Sequence, residues 1–585
     1  MNTIYLYEHG IFPNTDITLS LLELFSEYQE ETVFVFENAD YYFSPRREMF
    51  MDYRISNCDV REYRVLGMLM KGMKNCALQG NGARLWFEGH MQPITLDHCC
   101  SVKIENFVIN WQKPMVAEGV IIAHSQNTAD LYIDPEKYPH RCAESWLEFD
   151  VGANEWYPLC KGSQIRFDAH TRCVKRATGD GNFCPKSFKP LSKGVYQVEL
   201  DHEIDLTDGD IIVLRHNARM HAGIFSEKCC NLTFEDITIH SCGGLGCLAQ
   251  FCHNLTYRRV HFIPDTNAGR LISSGRDDGM HLTCNSGTIT VTECTFLGLM
   301  DDPINVHGCC VTSNEAINEA TLRCKFRHVQ AQGFHYWAEP GDEIAFIDRA
   351  SMARIGTARA ISYTLEEPDT FVLTFDAPLP SEILSLTEQD DALALDNLTH
   401  TAALICTKNR FGSCRARGIL VSTPKPVLIA DNYFESSGSA ILVAGDSNYW
   451  FESGECGDVE IRNNVFTDMC LTSMYQFCAG VISVCPVIPA PQVDKPYHKN
   501  LRIIGNTFDS ADTPILYAFS CSGLQFTRNR IFKSPSADKW HPADYRIFLR
   551  YCVDASLTEN EWIGKFSDNV VLKTEDCERI ISELP

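Results

Sequence analysis

No apolar run in this sequence approaches the ~20 residues needed to cross a bilayer. Its opening residues, MNTIYLYEHGIFPNTD, lack a basic segment followed by an apolar one, so no secretory leader is legible. Positive charge is scarce: 51 Lys and Arg face 76 Asp and Glu, giving a formal charge of −25. That balance argues against nucleic acid and anionic membrane as partners, and against polyanionic substrates unless a cleft is locally basic. No CxxC or HxxxH spacing suggests zinc, and neither a P-loop nor a GxGxxG opens a helix after a strand. The expectation is a protein with no metal and no cofactor, residing in the cytoplasm, with an exported longer precursor left open.

Cysteine is plentiful instead, at 27 residues with doublets at 99–100, 229–230 and 309–310. An odd count spread through strand-like segments suits small buried hydrophobes in a reducing compartment better than a disulfide framework. At 585 residues the chain exceeds one ordinary globular domain. An elongated solenoid, or a domain with insertions, accommodates that length.

One pattern recurs: apolar residues at relative positions 0, 2, 5 and 7. It appears as VKIENFVI from Val102, LTFEDITI from Leu232, LTYRRVHF from Leu255 and ITVTECTF from Ile289. It continues from Leu404, Val427, Val459, Leu501 and Leu524, with a weaker copy from Ala555. Several copies are 23 residues apart. Alternation that breaks and resumes is strand, bend, strand. At ~3.3 Å per residue such a length makes one coil of a parallel β-helix. In the C-terminal half position 5 becomes asparagine, at Asn409, Asn432, Asn464, Asn506, Asn529 and Asn560. Asparagine favours turns in any fold, but six in one register predict a ladder bonded amide to amide along the axis.

The repeat is interrupted for 130 residues after Val102 and for 115 after Ile289. Both gaps are β-rich, and LTDGDIIVLRH in the first resembles EPGDEIAFID in the second. The fold expectation is therefore all-β: a right-handed parallel β-helix with two inserted small β-barrel domains. Residues 1–72 form an N-terminal cap with the first coils, 73–111 start the helix, and 112–222 are the first barrel. Residues 223–308 carry the central coils, 309–396 are the second barrel, and 397–585 complete the helix and its far cap. The inserted domains also offer surfaces for a homo-oligomer.

Two acidic pairs stand one coil apart, Asp277 and Asp278 in GRDDGMH and Asp301 and Asp302 in LMDDPINVHG. A single Asp pair before a strand is usually turn chemistry or a solvated edge. Two in register, each followed by a histidine (His281 and His307), point to a site. Clustered carboxylates repel, so one tends to keep a proton near neutral pH. A protonated acid beside an ionised base is the equipment for breaking a glycosidic bond. The next coil brings Arg415 and Arg417, which can hold hydroxyls or tune the acids; Arg417 alone reads equally well as a surface charge. Asn305, Trp450 in DSNYWFESGE and, more weakly, Glu435 in NYFESSGS and Trp337 in GFHYWAEPGD complete the substrate-binding candidates. Each of the aromatics reads equally well as packing, and each histidine as a satisfied strand residue.

The stretch GRDDGMH…LMDDPINVHG, the 23-residue step from Asp278 to Asp301 and the two insertions resemble glycoside hydrolase family 110, the α-1,3-galactosidases. The resemblance implies an inverting, metal-independent, exo-acting enzyme that removes terminal α-1,3-linked galactose. Its substrates would be glycans of blood-group B type or linear Galα1-3Gal. It implies Asp301 as general acid and Asp278 or Asp302 as the base that activates water. An Asp, an Asp pair one coil later and His-Gly also resemble the polygalacturonases, whose NTD and GHG are here RDD and VHG. A Ca²⁺-dependent lyase and a non-catalytic glycan-binding β-helix are the remaining alternatives.

Overall fold

The computed structural model describes all residues except 217–218, 332–335, 536–538, 567–570 and 585. Pro585, the last residue of the expected C-terminal cap, therefore lies outside the described residues.

Two long ladders of parallel strands run the length of the molecule. The first is built by the repeated motif, and its register is the one the spacing predicts: Leu232 pairs with Leu255, Leu404 with Val427, and Val427 with Val459. Neither interruption disturbs it. Phe234 pairs with Ile104 across the first gap and Leu404 with Ile289 across the second. The second ladder holds the strand that follows each copy, including Met280–Thr283, Ile304–Cys309 and Ile419–Val421. Inward residues of both ladders form one continuous apolar core.

Two stacks explain the register. Phe262, Phe296, Phe411, Phe434, Phe466 and Phe508 stack face to face with centroids 4.5–5.6 Å apart. At the neighbouring bend each asparagine from Asn409 to Asn529 donates its amide to the next asparagine's Oδ1 at 3.0 Å. The same Oδ1 accepts the backbone N–H of the preceding coil's asparagine, as at Asn432 and Asn464. A shift by one coil residue would leave these buried amides unpaired, at about 1–3 kcal/mol each.

The first insertion is a six-stranded antiparallel sheet with a three-stranded sheet beside it. Its hydrogen-bonded path does not close as a continuous ladder among the described residues. A single bridge between Gln164 and Phe183 links its two flanks, and Trp146 of the three-stranded sheet packs edge-on against Phe188 of the six-stranded one. The second insertion is a closed six-stranded antiparallel barrel, from Val311–Asn318 to Leu393–Asn397. At the N-terminal end the helix Thr18–Glu27 buries Leu21, Leu24 and Phe25 against the first coil. Asp16, just ahead of the helix, accepts the Thr18 N–H at 3.0 Å.

Most cysteines are buried and free, as their positions on strands imply. One pair departs from that reading: Cys100 and Cys230 form a disulfide between adjacent coils. Paired positions on neighbouring parallel strands bring their side chains together whatever the sequence separation.

Candidate active site

The two Asp pairs end successive turns that lead into the second ladder. Met280 pairs with Ile304 and Ile304 with Ile419, so Asp278, Asp302 and Arg417 occupy equivalent places on three consecutive coils. Coils rise ~4.8 Å, which makes residues distant in sequence immediate neighbours. The Gly279 N–H donates to the Asp302 carbonyl at 3.0 Å and the Met280 N–H to the Pro303 carbonyl at 2.8 Å. Gly279 is required there: a Cβ would stand 2.7 Å from the Pro303 oxygen and from Leu299.

All four aspartates line one cleft of about 480 Å³, together with Asn305, Arg415, Arg417 and Trp450. Residues from elsewhere complete it. The first insertion and its return supply Ser163, Asp180, Arg215 and Arg219; the N-terminal region supplies Asn57 and Asp59; and the 446–452 loop supplies Asp446 and Glu452. Asp446 folds that loop by accepting the N–H groups of Asn448 and Tyr449 at 2.6 and 2.8 Å and that of Trp450. Trp450, a residue 38% exposed, thereby lines the cleft, as does Phe477.

The carboxyls do not share one environment. Asp277 is gripped by Arg276 at 2.7 and 2.9 Å and by Arg219 at 3.1 Å. Burial favours its neutral form, yet Arg219, Arg276 and Arg215 outweigh it and hold its pKa below the ordinary value. Asp301 accepts from Arg415 at 2.6 Å and from Arg219 at 3.1 Å. Burial is again opposed, here by Arg415, Arg219 and Arg417, and the pKa falls. Asp278 is pushed well up, by burial first and then by the Asp301 charge, against the pull of Arg219. Burial likewise raises Asp302, to about 8, although Arg417 opposes it. Arg417 donates to Asp302 from its backbone at 2.9 Å and from its guanidinium at 2.8 Å. Within one cleft, then, the surroundings favour the ionised form of some carboxyls and the neutral form of others.

Behind Asp278 lie the two histidines. His281 Nδ1 is 2.8 Å from Asp278 Oδ2, and its Nε2 is 2.9 Å from His307 Nε2. His307 Nδ1 is 2.6 Å from the Gly308 carbonyl. Glu452 Oε1 approaches His307 Nε2 at 3.6 Å and accepts from Asn57 at 3.2 Å, while its Oε2 accepts from Asn305 at 3.3 Å. Among the described residues, His281, His307 and Glu452 are the group whose donor atoms, all within 4.8 Å of one another, are spaced for a metal ion. Their ring nitrogens are engaged with Asp278, Gly308 and each other, which describes a hydrogen-bond network rather than an open ligand set.

Asp278, Asp301, Asp302, Asp277, Asn305, Arg415 and Trp450 thus come together. His281 and His307 support Asp278 from behind instead of lining the cleft. Arg417 is a partner of Asp302, not a surface charge. Glu435 does not line the cleft: it follows the first-ladder strand Tyr433–Phe434 and pairs with Arg410 at 3.4 Å. Trp337 is buried in the second barrel, donating its indole N–H to the Cys309 carbonyl at 2.8 Å, and does not reach the cleft. Sequence reasoning missed Asn57, Arg215, Arg219 and Arg276, and noted Glu452 only as a neighbour of Trp450. They come from loops and insertions whose placement carries no periodic signal; Arg276, adjoining the Asp277-Asp278 pair, and Glu452, within DSNYWFESGE, had a local one.

Residues 321–391, inside the second insertion, match the family model described as GLAA-B beta-barrel domain II. An α-1,3-galactosidase B of Bacteroides thetaiotaomicron is 35% identical over 544 residues, covering 92% of this chain and 86% of that protein. Another, of Phocaeicola vulgatus, is 29% identical over 555 residues, covering 92% of each chain. Among solved structures, a family 28 exopolygalacturonase of Yersinia enterocolitica aligns with a TM-score of 0.44 and 11% identity, covering 100% of this chain and 79% of that one. Similarity of this extent to the first relative, over nearly its whole length and through the DD-bearing coils, means that the chain belongs to the family of the α-1,3-galactosidases.

Proposed function

We propose that this protein is an exo-acting glycosidase that hydrolyses terminal α-1,3-linked galactose with inversion, on glycans of blood-group B type, linear Galα1-3Gal type, or both. The observation that carries the reading is the single cleft in which carboxyls from adjacent coils meet in unlike surroundings: Asp301 between the Arg415 and Arg219 guanidiniums, which draw its pKa down, and Asp278 and Asp302 more deeply buried, which pushes theirs up. Inversion needs an acid to protonate the glycosidic oxygen as C1–O breaks. It also needs a base to take a proton from the water that attacks C1 from the opposite ring face. The products are β-galactose and an acceptor with a free 3-hydroxyl.

In an exo-acting cleft the leaving sugar occupies the mouth. Asp301 is the most accessible of the three, with a side chain 18% exposed against 6% for Asp278 and 3% for Asp302. That supports Asp301 as acid and the deeper Asp278 or Asp302 as base, the roles that the family resemblance implies. The acid role requires that bound sugar draw Arg415 or Arg219 away from Asp301 so that a proton can move onto it. A second reading follows from those same ion pairs: Asp301, held as an anion, is the base, and Asp278 or Asp302 donates the proton. Leaving-group dependence separates the two.

Asn305 supplies a sugar contact in either reading, since its Oδ1 is buried and has no protein partner among the described residues. A polyuronide meets no basic surplus in the cleft: even with Asp278 and Asp302 neutral, six lining carboxyls face five arginines. The test is a panel of terminal α- and β-galactosides together with polygalacturonate. Release of galactose from α-1,3-linked substrates alone is expected; turnover of polygalacturonate, or binding without release, would refute the reading.

A further inference from the structure

Three hydrogen bonds run in series from the cleft into the core: Asp278 to His281, His281 to His307, and His307 to the Gly308 carbonyl. A carbonyl only accepts, so His307 Nδ1 carries a hydrogen. In a neutral His307 the Nε2 is then bare, and it accepts from His281 Nε2–H. A neutral His281 spent in that way presents a bare Nδ1 to the carboxyl. Three bonds need three protons, and two neutral imidazoles bring two. The third belongs to Asp278.

We propose that His281 and His307 are positioning residues of the hydrolytic site: with the Gly308 carbonyl they form a polarised chain that keeps a proton on Asp278 in the resting enzyme. This rests on the hydrolase reading for its consequence and on hydrogen-bond counting for its content. It separates the two deep carboxyls. Asp278 becomes the resident proton store, and Asp302, beside the Arg417 guanidinium, is the one placed to ionise.

The surroundings agree. His281 is entirely buried and its pKa is driven down to about 3, by burial first and then by His307, so the ring is neutral across the working range. Groups facing Asp278 and His281 from other elements are Asp277, Asp301, Asp302, Arg219 and Glu452. The anions Asp301, Asp277 and Glu452 disfavour a further negative charge at Asp278, and Arg219, already engaged with Asp277 and Asp301, only partly offsets them. Were Asp278 ionised with both rings neutral, two bare Nε2 atoms would confront each other at 2.9 Å. With both rings neutral, the chain is complete only with the proton on Asp278.

The experiment has two arms on the full-length protein. Two-bond ¹H–¹⁵N correlation spectra of ¹⁵N-histidine-labelled protein are assigned with His281→Gln and His307→Gln. They should show His307 as the Nδ1–H tautomer and His281 as the Nε2–H tautomer. A cationic ring, or the same tautomer in both, would overturn the proposal whether or not the protein hydrolyses any galactoside. In the second arm, pH profiles of kcat/KM are compared for wild type, His307→Leu and His307→Gln. Loss of the acceptor in His307→Leu should move the alkaline limb down by about one pH unit, the equivalent of one hydrogen bond. His307→Gln, whose side-chain carbonyl can still accept, should recover most of that shift. Unmoved limbs with uniformly lower activity would reduce the histidines to packing, and displacement of the acid limb instead would make Asp278 the base. Inactivation of the wild type by EDTA would replace the chain with a metal site.

Discussion

Replacing Asp301 by asparagine removes one negative charge and leaves one oxygen of the same shape. The fold should tolerate it. Arg415 keeps its two bonds to Asp180 at 2.7 and 2.6 Å, and Arg219 keeps Asp277 at 3.1 Å. Each guanidinium therefore loses one charge-assisted bond without being stranded, for a cost of about 1–3 kcal/mol in all. The catalytic loss should be larger and selective. A general acid contributes ~10²–10⁴-fold, or about 3–5 kcal/mol of barrier, when the leaving group is a sugar alkoxide. An aryl galactoside with an acidic phenol leaves with little help, so its kcat/KM should fall by less than about tenfold.

The assay is steady-state kinetics on both substrate types, with thermal unfolding to establish that the variant is folded. Equal loss on both would refute Asp301 as acid. Recovery by azide, with formation of β-galactosyl azide, would go further and place Asp301 on the water's face of the ring. That outcome would favour the second reading, in which the Arg415 and Arg219 pairs maintain Asp301 as the base.

Asn464→Ala deletes a buried side chain that accepts from the Asn432 N–H and amide at 3.0 Å each and donates to Ile429 and Asn506 at 2.9 and 3.0 Å. With those partners unpaired, denaturant unfolding should show a loss of about 3–5 kcal/mol; a loss below about 1 kcal/mol would make the ladder incidental. Trp450→Ala should raise KM for a disaccharide by about tenfold with kcat little changed, the mark of lost uniform binding at the cleft mouth. Glu435→Gln, outside the cleft, should leave both constants within about twofold, and a larger effect would mean that the cleft is drawn too small.

What the sequence made legible was whatever repeats. Apolar residues at positions 0, 2, 5 and 7 are spaced by the coil itself, so strand register, the asparagine ladder and the meeting of Asp278, Asp301 and Asp302 all follow from counting. The carboxyls' counter-charges did not follow. Arg219 comes at the exit of the first insertion and Asn57 from the N-terminal region, and they meet through an irregular path: the Arg219 guanidinium donates to the Asn57 carbonyl at 3.4 Å. Glu435 shows the opposite failure. It directly follows the first-ladder strand Tyr433–Phe434, whereas the aspartates just precede strands of the second ladder, and so it does not line the cleft. Trp337 misled by composition: an aromatic in an inserted barrel is more often its core than its rim.

The account depends on carboxyls from neighbouring coils acting on opposite faces of one sugar ring. Proton NMR of the earliest product from a terminal α-1,3-galactoside tests this most directly. The β-anomer of galactose should appear first, with the α-anomer growing in only by mutarotation; α-galactose as the first product would contradict the account.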